Sequence, residues 1–274
     1  MSLSVAAGAA PIFLSKNYVN LEDAQNSGVA VSSGTLAHRL YDMDPSIQWS
    51  SSGSSDGVTE TVTISLYEQG TLTSRSIDFV ALLNHNLQRF IIEYSNDTGS
   101  TWTTITGGDY TGSDYSGANI VLVPTAFTAN MIRVTATDVQ SGSEKLIGLV
   151  VAALSSFQAD QAMAAYVPKR TANRKEVILA DGSTDYTHLL WSDNSFELYG
   201  ASMKWLLAGS TLRTNLRTLA TQQAPFIVYP EPGELPQEIH LCIMASGGYS
   251  EEYASSYKTA GWNIGIDISE VGSG

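Results

Sequence analysis

The chain has 274 residues, of which 43% are hydrophobic and only 15% are charged, and its formal net charge is −13. Both halves are acidic, with 6 basic against 14 acidic residues in 1–157 and 8 against 13 in 158–274. Phosphate backbones and anionic lipids bind clustered cations, and the chain has no basic stripe. No apolar run approaches the roughly 20 residues that span a bilayer. We therefore expect no nucleic-acid partner and no membrane insertion.

Short apolar segments separated by Ser, Thr, Gly and turn dipeptides are typical of a mainly β protein. A turn-rich segment at 39–50 precedes an alternating strand in which Val62, Ile64 and Leu66 share one face. Three later runs are apolar on both faces, which predicts strands in the middle of a sandwich. They are residues 77–83, 120–123 and 146–154.

After the first of these runs come the trio Asn84, His85 and Asn86, a strand at 90–94, and a hairpin turn at 95–102 with its return strand. This order of parts resembles the galactose-binding-like jelly roll, the discoidin or coagulation-factor type C module. The version with Leu-Leu-Asn-His-Asn-Leu after the central strand looks like the copy found in tail proteins of bacteriophages and prophages. The resemblance predicts an all-β fold whose first domain, residues 1–157, is a jelly-roll sandwich.

A second domain is predicted over residues 158–274, because the chain becomes more polar and weakly periodic before strand patterns resume. One helix stands out near 210–223, with an apolar stripe formed by Leu212, Leu216 and Leu219. The closing strand is one-sided, with an apolar face formed by Trp262, Ile264, Ile266 and Ile268. This part looks like the ring-forming part of phage distal tail proteins, a smaller β-sandwich with one helix.

Three loop carboxylates, Asp42, Asp44 and Asp56, are candidates for a calcium site. Calcium prefers carboxylate and carbonyl oxygens on flexible loops. The resemblance supports this hypothesis, since the galactose-binding family often carries a structural calcium in its early loops. The spacing is not that of an EF-hand, because the glycine at the sixth position and the glutamate at the twelfth are missing. The alternative is that these aspartates accept hydrogen bonds from nearby backbone N–H groups in turns.

A glycan site is a second hypothesis, because jelly rolls of this family bind glycans or lipids, where they bind anything, with loops at one end. Tyr41, Tyr110 and Tyr115 come from loops or strand ends, and aromatic rings can stack on the apolar faces of sugars. Trp49 and Trp102 match positions that the family packs inside or at the edge of its core. We therefore predict structural roles for these two tryptophans.

The trio Asn84, His85 and Asn86 recurs in the phage-tail version of the module. Asn and His side chains can satisfy backbone groups where a central strand leaves its sheet, so we interpret the trio as a structural polar corner.

No catalytic residue is predicted, and we expect the protein not to be an enzyme. Residues 53–57 have the letters of a hydrolase nucleophile elbow, but the strand before them and the helix after them are missing. The single cysteine, Cys242, is predicted to be a buried apolar side chain, and no cofactor other than the candidate calcium is expected.

Three functions are left open by the sequence, and the third of them is an accessory part of a glycan-active enzyme. The first is a structural component of a phage tail, a distal tail or baseplate/tip protein that is assembled in the host cytoplasm and resides in the virion. It would form a ring with copies of itself and dock neighbouring tail proteins. A one-sided closing strand and an unpaired edge would extend a sheet into a neighbour, and the Tyr-rich loop at 246–258 has the composition of interface cores. The alternative is a carbohydrate-binding module of a host-receptor-binding protein, which would contact host surface glycans.

Overall fold

The computed structural model describes most of the chain. The ranges are 10–14, 17–19, 28–42, 47–53, 56–155, 157–159, 163–172, 175–178, 184–187, 197–222, 225–232, 239–255 and 260–270. The chain is mostly β strand with one α-helix in these ranges, which confirms the predicted fold class. It divides into two compact units. The first unit comprises residues 12–158 and 230–239, and the second unit comprises residues 1–11, 159–229 and 240–274.

The first unit is built from short strands, with one 3-10 helix at Ala37–Leu40. The strands are β1 (Ile12–Leu14), β2 (Val29–Val31), β3 (Trp49–Ser50), β4 (Glu60–Ser65), β5 (Tyr67–Glu68), β6 (Thr71–Leu72), β7 (Arg75–Ile77), β8 (Phe79–His85), β9 (Leu87–Ser95), β10 (Thr103–Asp109), β11 (Ile120–Leu122), β12 (Phe127–Ala129), β13 (Met131–Val139), β14 (Leu146–Ala153) and β15 (Phe157–Gln158).

Two antiparallel sheets form the sandwich of the first unit. One has the strand order β10-β9-β13-β4-β2 and the other has the order β11-β8-β14-β3. Smaller pairs join β7 to β12, β5 to β6 and β1 to β15. Neighbours in each sheet are often distant in sequence, so the fold depends on long-range pairing.

The core lies between the two sheets. The runs that were predicted to be apolar on both faces contain β8, β11 and β14, which are neighbours in the four-stranded sheet. Residues 79–83 of β8 are at most 6% exposed. Burial alternates along strand β4 instead, so that Val62 and Ile64 face the core while Thr61 and Thr63 do not. Burial of apolar surface by both sheets supplies the main driving force for this fold.

The second unit has longer strands and the one helix, α1 (Ser210–Gln222). Its strands are β16 (Ala165–Ala172), β17 (Lys175–Ile178), β18 (Thr184–Thr187), β19 (Glu197–Ala208), β20 (Phe226–Tyr229), β21 (His240–Ser255) and β22 (Ala260–Glu270). They are arranged in the order β16-β19-β22-β21-β20, and β17 pairs with β18. No helix among the described residues is long and apolar enough to cross a membrane.

Helix α1 packs on β21 and β22 through the predicted leucine stripe. Leu212, Leu216 and Leu219 are buried, as are Ile264 and Ile266 on one face of β22. The predictions of an amphipathic helix and of a one-sided closing strand are therefore confirmed.

Two expectations about the second unit are wrong. The closing strand β22 lies between β19 and β21, so it cannot itself provide a free sheet edge. The Tyr-rich segment that was expected to be a loop is mostly strand, since β21 continues to Ser255. Glycines and serines give this segment a loop-like composition, but pairing with β22 overrides that local preference.

A glycine is required where the backbone of the first unit crosses closely beside β3. Gly34 has φ +84°, and a Cβ added there would lie 2.0 Å from the carbonyl oxygen of Ser50. We expect Gly34→Ala to destabilise the protein by more than about 2 kcal/mol, because strain and a backbone clash add. Gly112→Ala is the control, since nothing lies within 4 Å of its added Cβ. Urea unfolding of both variants checks this, and equal stability of the two would contradict it.

Candidate functional site

The polar corner (Asn84, His85 and Asn86) lies where β8 ends and the chain enters β9. Asn84 has φ +49°, a left-handed conformation that asparagine tolerates better than most residues. Its N–H donates to Oδ1 of Asn119 at 2.8 Å, and the N–H of His85 donates to the carbonyl of Ala118 at 2.8 Å. Segment 110–119 is thereby fastened to the end of the buried strand.

Asn86 connects a second loop, residues 141–146, to the polar corner. Its Nδ2 donates to the carbonyl oxygens of Ser141 at 3.1 Å and Glu144 at 2.8 Å, while its Oδ1 accepts from the N–H of Leu146 at 2.8 Å. One side chain therefore satisfies three backbone groups in the approach to β14.

His85 is a buried, neutral side chain. It is 3% exposed, and its Nδ1 accepts from the N–H of Leu87 at 3.2 Å, which places the ring proton on Nε2. Nε2 has no hydrogen-bond partner among the described residues. Burial lowers the pKa of His85 to about 4, since the apolar surroundings disfavour the charged ring.

Four rings form an aromatic cluster at this end of the first unit: His85, Phe90, Tyr110 and Tyr115. The ring of His85 stacks on Tyr115 at 5.5 Å between centroids, and Phe90 stacks on Tyr110 at 4.9 Å. The two tyrosines meet edge to face at 4.9 Å. Both are half-buried, so the cluster presents part of each tyrosine ring to solvent.

Polar groups surround the aromatic cluster. Arg89 donates to Asp114 at 2.9 Å and lies 3.6 Å from Asp138. The side chains of Arg89 and Asp114 are about half exposed, whereas that of Asp138 is 21% exposed. Gln140 donates through Nε2 to the carbonyls of Leu87 at 3.0 Å and Gly117 at 2.8 Å. Because exposed ion pairs contribute little stability, the chief consequence is that hydrogen-bonding groups are held beside the rings.

Of the three tyrosines of the glycan hypothesis, the structure brings Tyr110 and Tyr115 into contact with each other. All three are half-buried and pack against the hydrophobic core. Trp49 is 1% exposed, in the core where its family position suggests. Trp102 is only half-buried, and the guanidinium of Arg133 covers its ring at 4.1 Å. This cation–π contact occupies a face that a sugar would need.

The candidate calcium ligands have other contacts where they are described. Asp42 pairs with Arg39 at 3.1 Å, and Oδ1 of Asp56 accepts from the N–H of Val139 at 3.0 Å. Asp44 lies outside the described residues. Within the part of the chain that the structure describes, no group of three His, Cys, Asp or Glu side chains could hold a metal ion. Neither contact is the local turn bond of the alternative, since Asp42 pairs with a side chain and the partner of Asp56 is 83 residues away. The calcium site stays a prediction.

Sequence patterns did not identify Gln48, Asn119 and Gln140, although all three support the corner. Gln48 donates to the carbonyl of Asn84 at 2.6 Å from 36 residues away, and Gln140 reaches Gly117 across 23 residues. Their sequence neighbourhoods are ordinary loops, so no local signal marks them. These residues support the polar corner only because folding brings distant loops to the same end of the first unit.

Comparison with known families identifies the fold of the first unit. Residues 23–149 match the family model of the F5/8 type C domain. The first unit has the galactose-binding-like jelly-roll fold. The matched residues make up a little under half of the chain, and they include the polar corner and the aromatic cluster. No curated protein matches the chain significantly.

Several solved structures are similar to about half of the chain. Chitosan-binding module 1 from a Paenibacillus sp. IK-5 chitosanase/glucanase is 23% identical, with a TM-score of 0.40 over 50% of this chain and 98% of that one. Module 2 of that enzyme, in complex with chitotriose, is also 23% identical, with a TM-score of 0.40 over 50% and 99%. Clostridium perfringens CpGH89CBM32-5, in complex with GalNAc-β-1,3-galactose, is 18% identical, with a TM-score of 0.38 over 46% and 94%.

The buried His85 makes the stability of the first unit depend on pH. Its pKa in the fold, about 4, lies below the usual 6.5, so the unfolded chain binds the proton first as pH falls. Stability is therefore complete above about pH 6.5 and falls by about 3 kcal/mol by pH 4. His85→Asn keeps an acceptor for Leu87 but cannot titrate, so we expect a shallower decline between pH 6.5 and 4. Urea unfolding across this range measures it, and parallel curves for both proteins would contradict the assignment.

Adding or removing calcium tests whether the loop aspartates of the first unit bind this ion. Since Asp42 and Asp56 already have protein partners, we expect millimolar calcium and EDTA to give the same melting temperature. A ligand that binds only the native state must raise this temperature. A calcium-dependent rise that disappears in Asp44→Asn would instead establish the predicted site.

Proposed function

We propose that the F5/8 type C domain binds carbohydrate at the loop end that carries the aromatic cluster. The observation that supports this most is the pair Tyr110 and Tyr115, whose rings meet at 4.9 Å and remain partly open to solvent. The rigid cluster beneath them fixes both rings before a ligand arrives. Preorganisation of this kind lowers the entropy cost of binding.

The chemistry of the surface suits a saccharide. Pyranose rings have apolar C–H faces that can cover the exposed part of a tyrosine ring. Their hydroxyl groups need both donors and acceptors, which the guanidinium of Arg89 and the carboxylates of Asp114 and Asp138 provide. Because the proposed contact consists of two partly exposed rings and a few polar side chains, we expect weak binding of roughly millimolar strength, about −4 kcal/mol.

Charge narrows the class of glycan. Residues 1–157 carry 6 basic and 14 acidic groups, a net charge of −8. Beside the tyrosines, Arg89 is outnumbered by Asp109, Asp114 and Asp138. An acidic surface repels anionic polymers and attracts cationic ones. We therefore propose neutral or amino-sugar glycans as ligands and not sialylated or uronic ones.

The proposal is one of binding and assigns no catalytic residue. It corresponds to the carbohydrate-binding alternative that the sequence left open, in which the domain contacts glycans of a host surface. The phage-tail function stays a prediction, because the family match describes the domain and not a virion. The proposed glycan contact is compatible with either setting.

A binding experiment with tyrosine variants tests the proposal. We expect chitotriose and GalNAc-β-1,3-galactose, the ligands of two of the similar structures, to give saturable chemical-shift changes at the aromatic cluster. Tyr110→Ala should weaken binding of whichever glycan is bound about tenfold, through lost stacking. Asp114→Ala, which leaves the rings in place, should weaken it less.

Tyr67→Ala is the matched control for Tyr110→Ala. Tyr67 is a half-buried tyrosine that lies just after β4. That end of β4 pairs with Met131 and is at the opposite end of the sheet from Tyr110. The Tyr67→Ala variant should bind the glycan as the unchanged protein does. The proposal fails if a panel of neutral, amino and acidic glycans gives no saturable binding, or if Tyr67→Ala and Tyr110→Ala behave alike.

A further inference from the structure

The two tyrosines of the proposed glycan surface differ in how much of each ring the protein itself covers. Both belong to segment 110–119 and both are half-buried, so their exposure alone does not separate them. The neighbours of each ring do separate them. Tyr115 is enclosed by protein groups on several sides, whereas Tyr110 has a stacking partner on one face only.

Tyr115 lies between two neighbours that cover its ring. The ring of His85 stacks on it with an interplanar angle of 29°. Gly117 lies against its hydroxyl end, where an added Cβ would be 2.8 Å from the hydroxyl oxygen and 3.0 Å from two carbons of the ring. A glycine at position 117 therefore leaves the room that the ring of Tyr115 occupies.

The polar groups of Tyr115 are also engaged. Its hydroxyl donates to the carbonyl of Asn119, and the side chain of Asn119 in turn accepts from the N–H of Asn84. The backbone N–H of Tyr115 donates to the carbonyl of Gln88 at 2.9 Å. Residue 115 is thus fastened to the end of β8 and to the start of β9, which makes it a fixed support of segment 110–119.

The position of Tyr115 leaves the outer face of Tyr110 uncovered. Phe90 stacks on the inner face of Tyr110, with 4.9 Å between centroids. Tyr115 lies 4.9 Å from Tyr110 and 5.7 Å from Phe90. A ring on the outer face of Tyr110 would lie much farther from Phe90 than from Tyr110, so Tyr115 lies beside the stack. Among the described residues, no further ring or guanidinium contacts Tyr110.

The hydroxyl of Tyr110 is available as well. It forms no hydrogen bond within the described part of the chain, and burial alone raises the pKa of Tyr110. The backbone N–H of Tyr110 donates to the carbonyl of Phe90 at 2.8 Å, so the residue is held at its backbone while its outer face and hydroxyl stay accessible. A pyranose needs this combination, an apolar surface for its C–H groups and a group that both donates and accepts hydrogen bonds.

We propose that Tyr110 alone forms the stacking contact with the sugar, and that Tyr115 is a positioning residue that holds Tyr110 in place. These roles rest on the proposed carbohydrate binding and narrow its contact to the face of one pyranose unit. Tyr115 acts on the ligand only through its segment and through its edge-to-face contact with Tyr110. Because a ring that is fixed in advance loses less entropy on binding, loosening Tyr115 weakens binding without changing what the sugar touches.

Sugar titrations followed by NMR test the two roles, with chitotriose and GalNAc-β-1,3-galactose as the probes. Protons that lie over the face of an aromatic ring resonate upfield, so the sugar shift at saturation reports the contact and the titration curve reports the affinity. We expect Tyr110→Leu to abolish the upfield shift and to weaken binding about tenfold. Leucine keeps an apolar contact with Phe90, so the fold should persist.

Variants at Tyr115 separate positioning from direct contact. Tyr115→Phe removes only the hydroxyl that donates to Asn119, and Tyr115→Leu removes the ring as well. We expect both variants to bind about threefold or more weakly, since Tyr110 is then less fixed. The upfield shift of the sugar at saturation should be the same as with the unchanged protein. A merely structural role would leave the affinity unchanged in a variant that is folded at the temperature of the titration.

Gly117→Ala and Gly112→Ala form a matched pair within segment 110–119. The first places a Cβ against the ring of Tyr115, whereas nothing lies within 4 Å of the Cβ that the second adds. We expect Gly117→Ala to weaken binding about threefold and Gly112→Ala to bind as the unchanged protein does. Melting temperatures of all the variants establish that each is folded during its titration.

Three results would overturn these roles. They are an upfield shift that survives in Tyr110→Leu, an upfield shift that is lost in Tyr115→Leu, and an affinity that Tyr115→Phe and Gly117→Ala both leave unchanged. Each of these leaves carbohydrate binding itself intact. Absence of saturable binding by the unchanged protein would instead overturn the proposed function, and these roles with it.

Discussion

The burial of β8 is the constraint on which the loop end of the first unit depends. Five consecutive apolar residues of this strand are at most 6% exposed, so its backbone groups cannot turn to water where the strand ends. The side chain of Asn119 and the carbonyl of Ala118 provide partners there instead. Those same bonds fasten segment 110–119, and with it the two tyrosines of the proposed glycan surface. The hydrogen bonds that the buried strand requires therefore also position the proposed ligand-binding tyrosines.

Acidity limits the ligands that the first unit can bind. A net charge of −13 makes contact with anionic polymers costly. A neutral or cationic ligand at the acidic rim around Tyr110 avoids that cost. The proposed glycan surface therefore combines apolar contact with ordered polar groups.

The local sequence pattern predicted those elements well that have one buried face and one exposed face. The leucine stripe of α1 and the isoleucines of β22 follow the periods of helix and strand, and both were predicted with nearly the observed bounds. The local pattern predicted poorly where strand pairing determines the secondary structure of a segment or its place in the sheet. Residues 246–255 have a loop-like composition, yet pairing with β22 makes them strand, and that pairing places β22 inside the sheet. Gln140 and Asn119 carried no signal, because their partners are brought to them by distant loops.

By itself the sequence determined the fold class, the runs that form the buried sheet, the helix and the polar trio that ends β8, because these depend on residue type and short periods. Only the tertiary structure decided which aromatic residues could serve a ligand. It joined Tyr110 to Tyr115 and covered Trp102 with Arg133. The physical reason is that exposure and proximity depend on long-range pairing, which no short stretch of sequence contains.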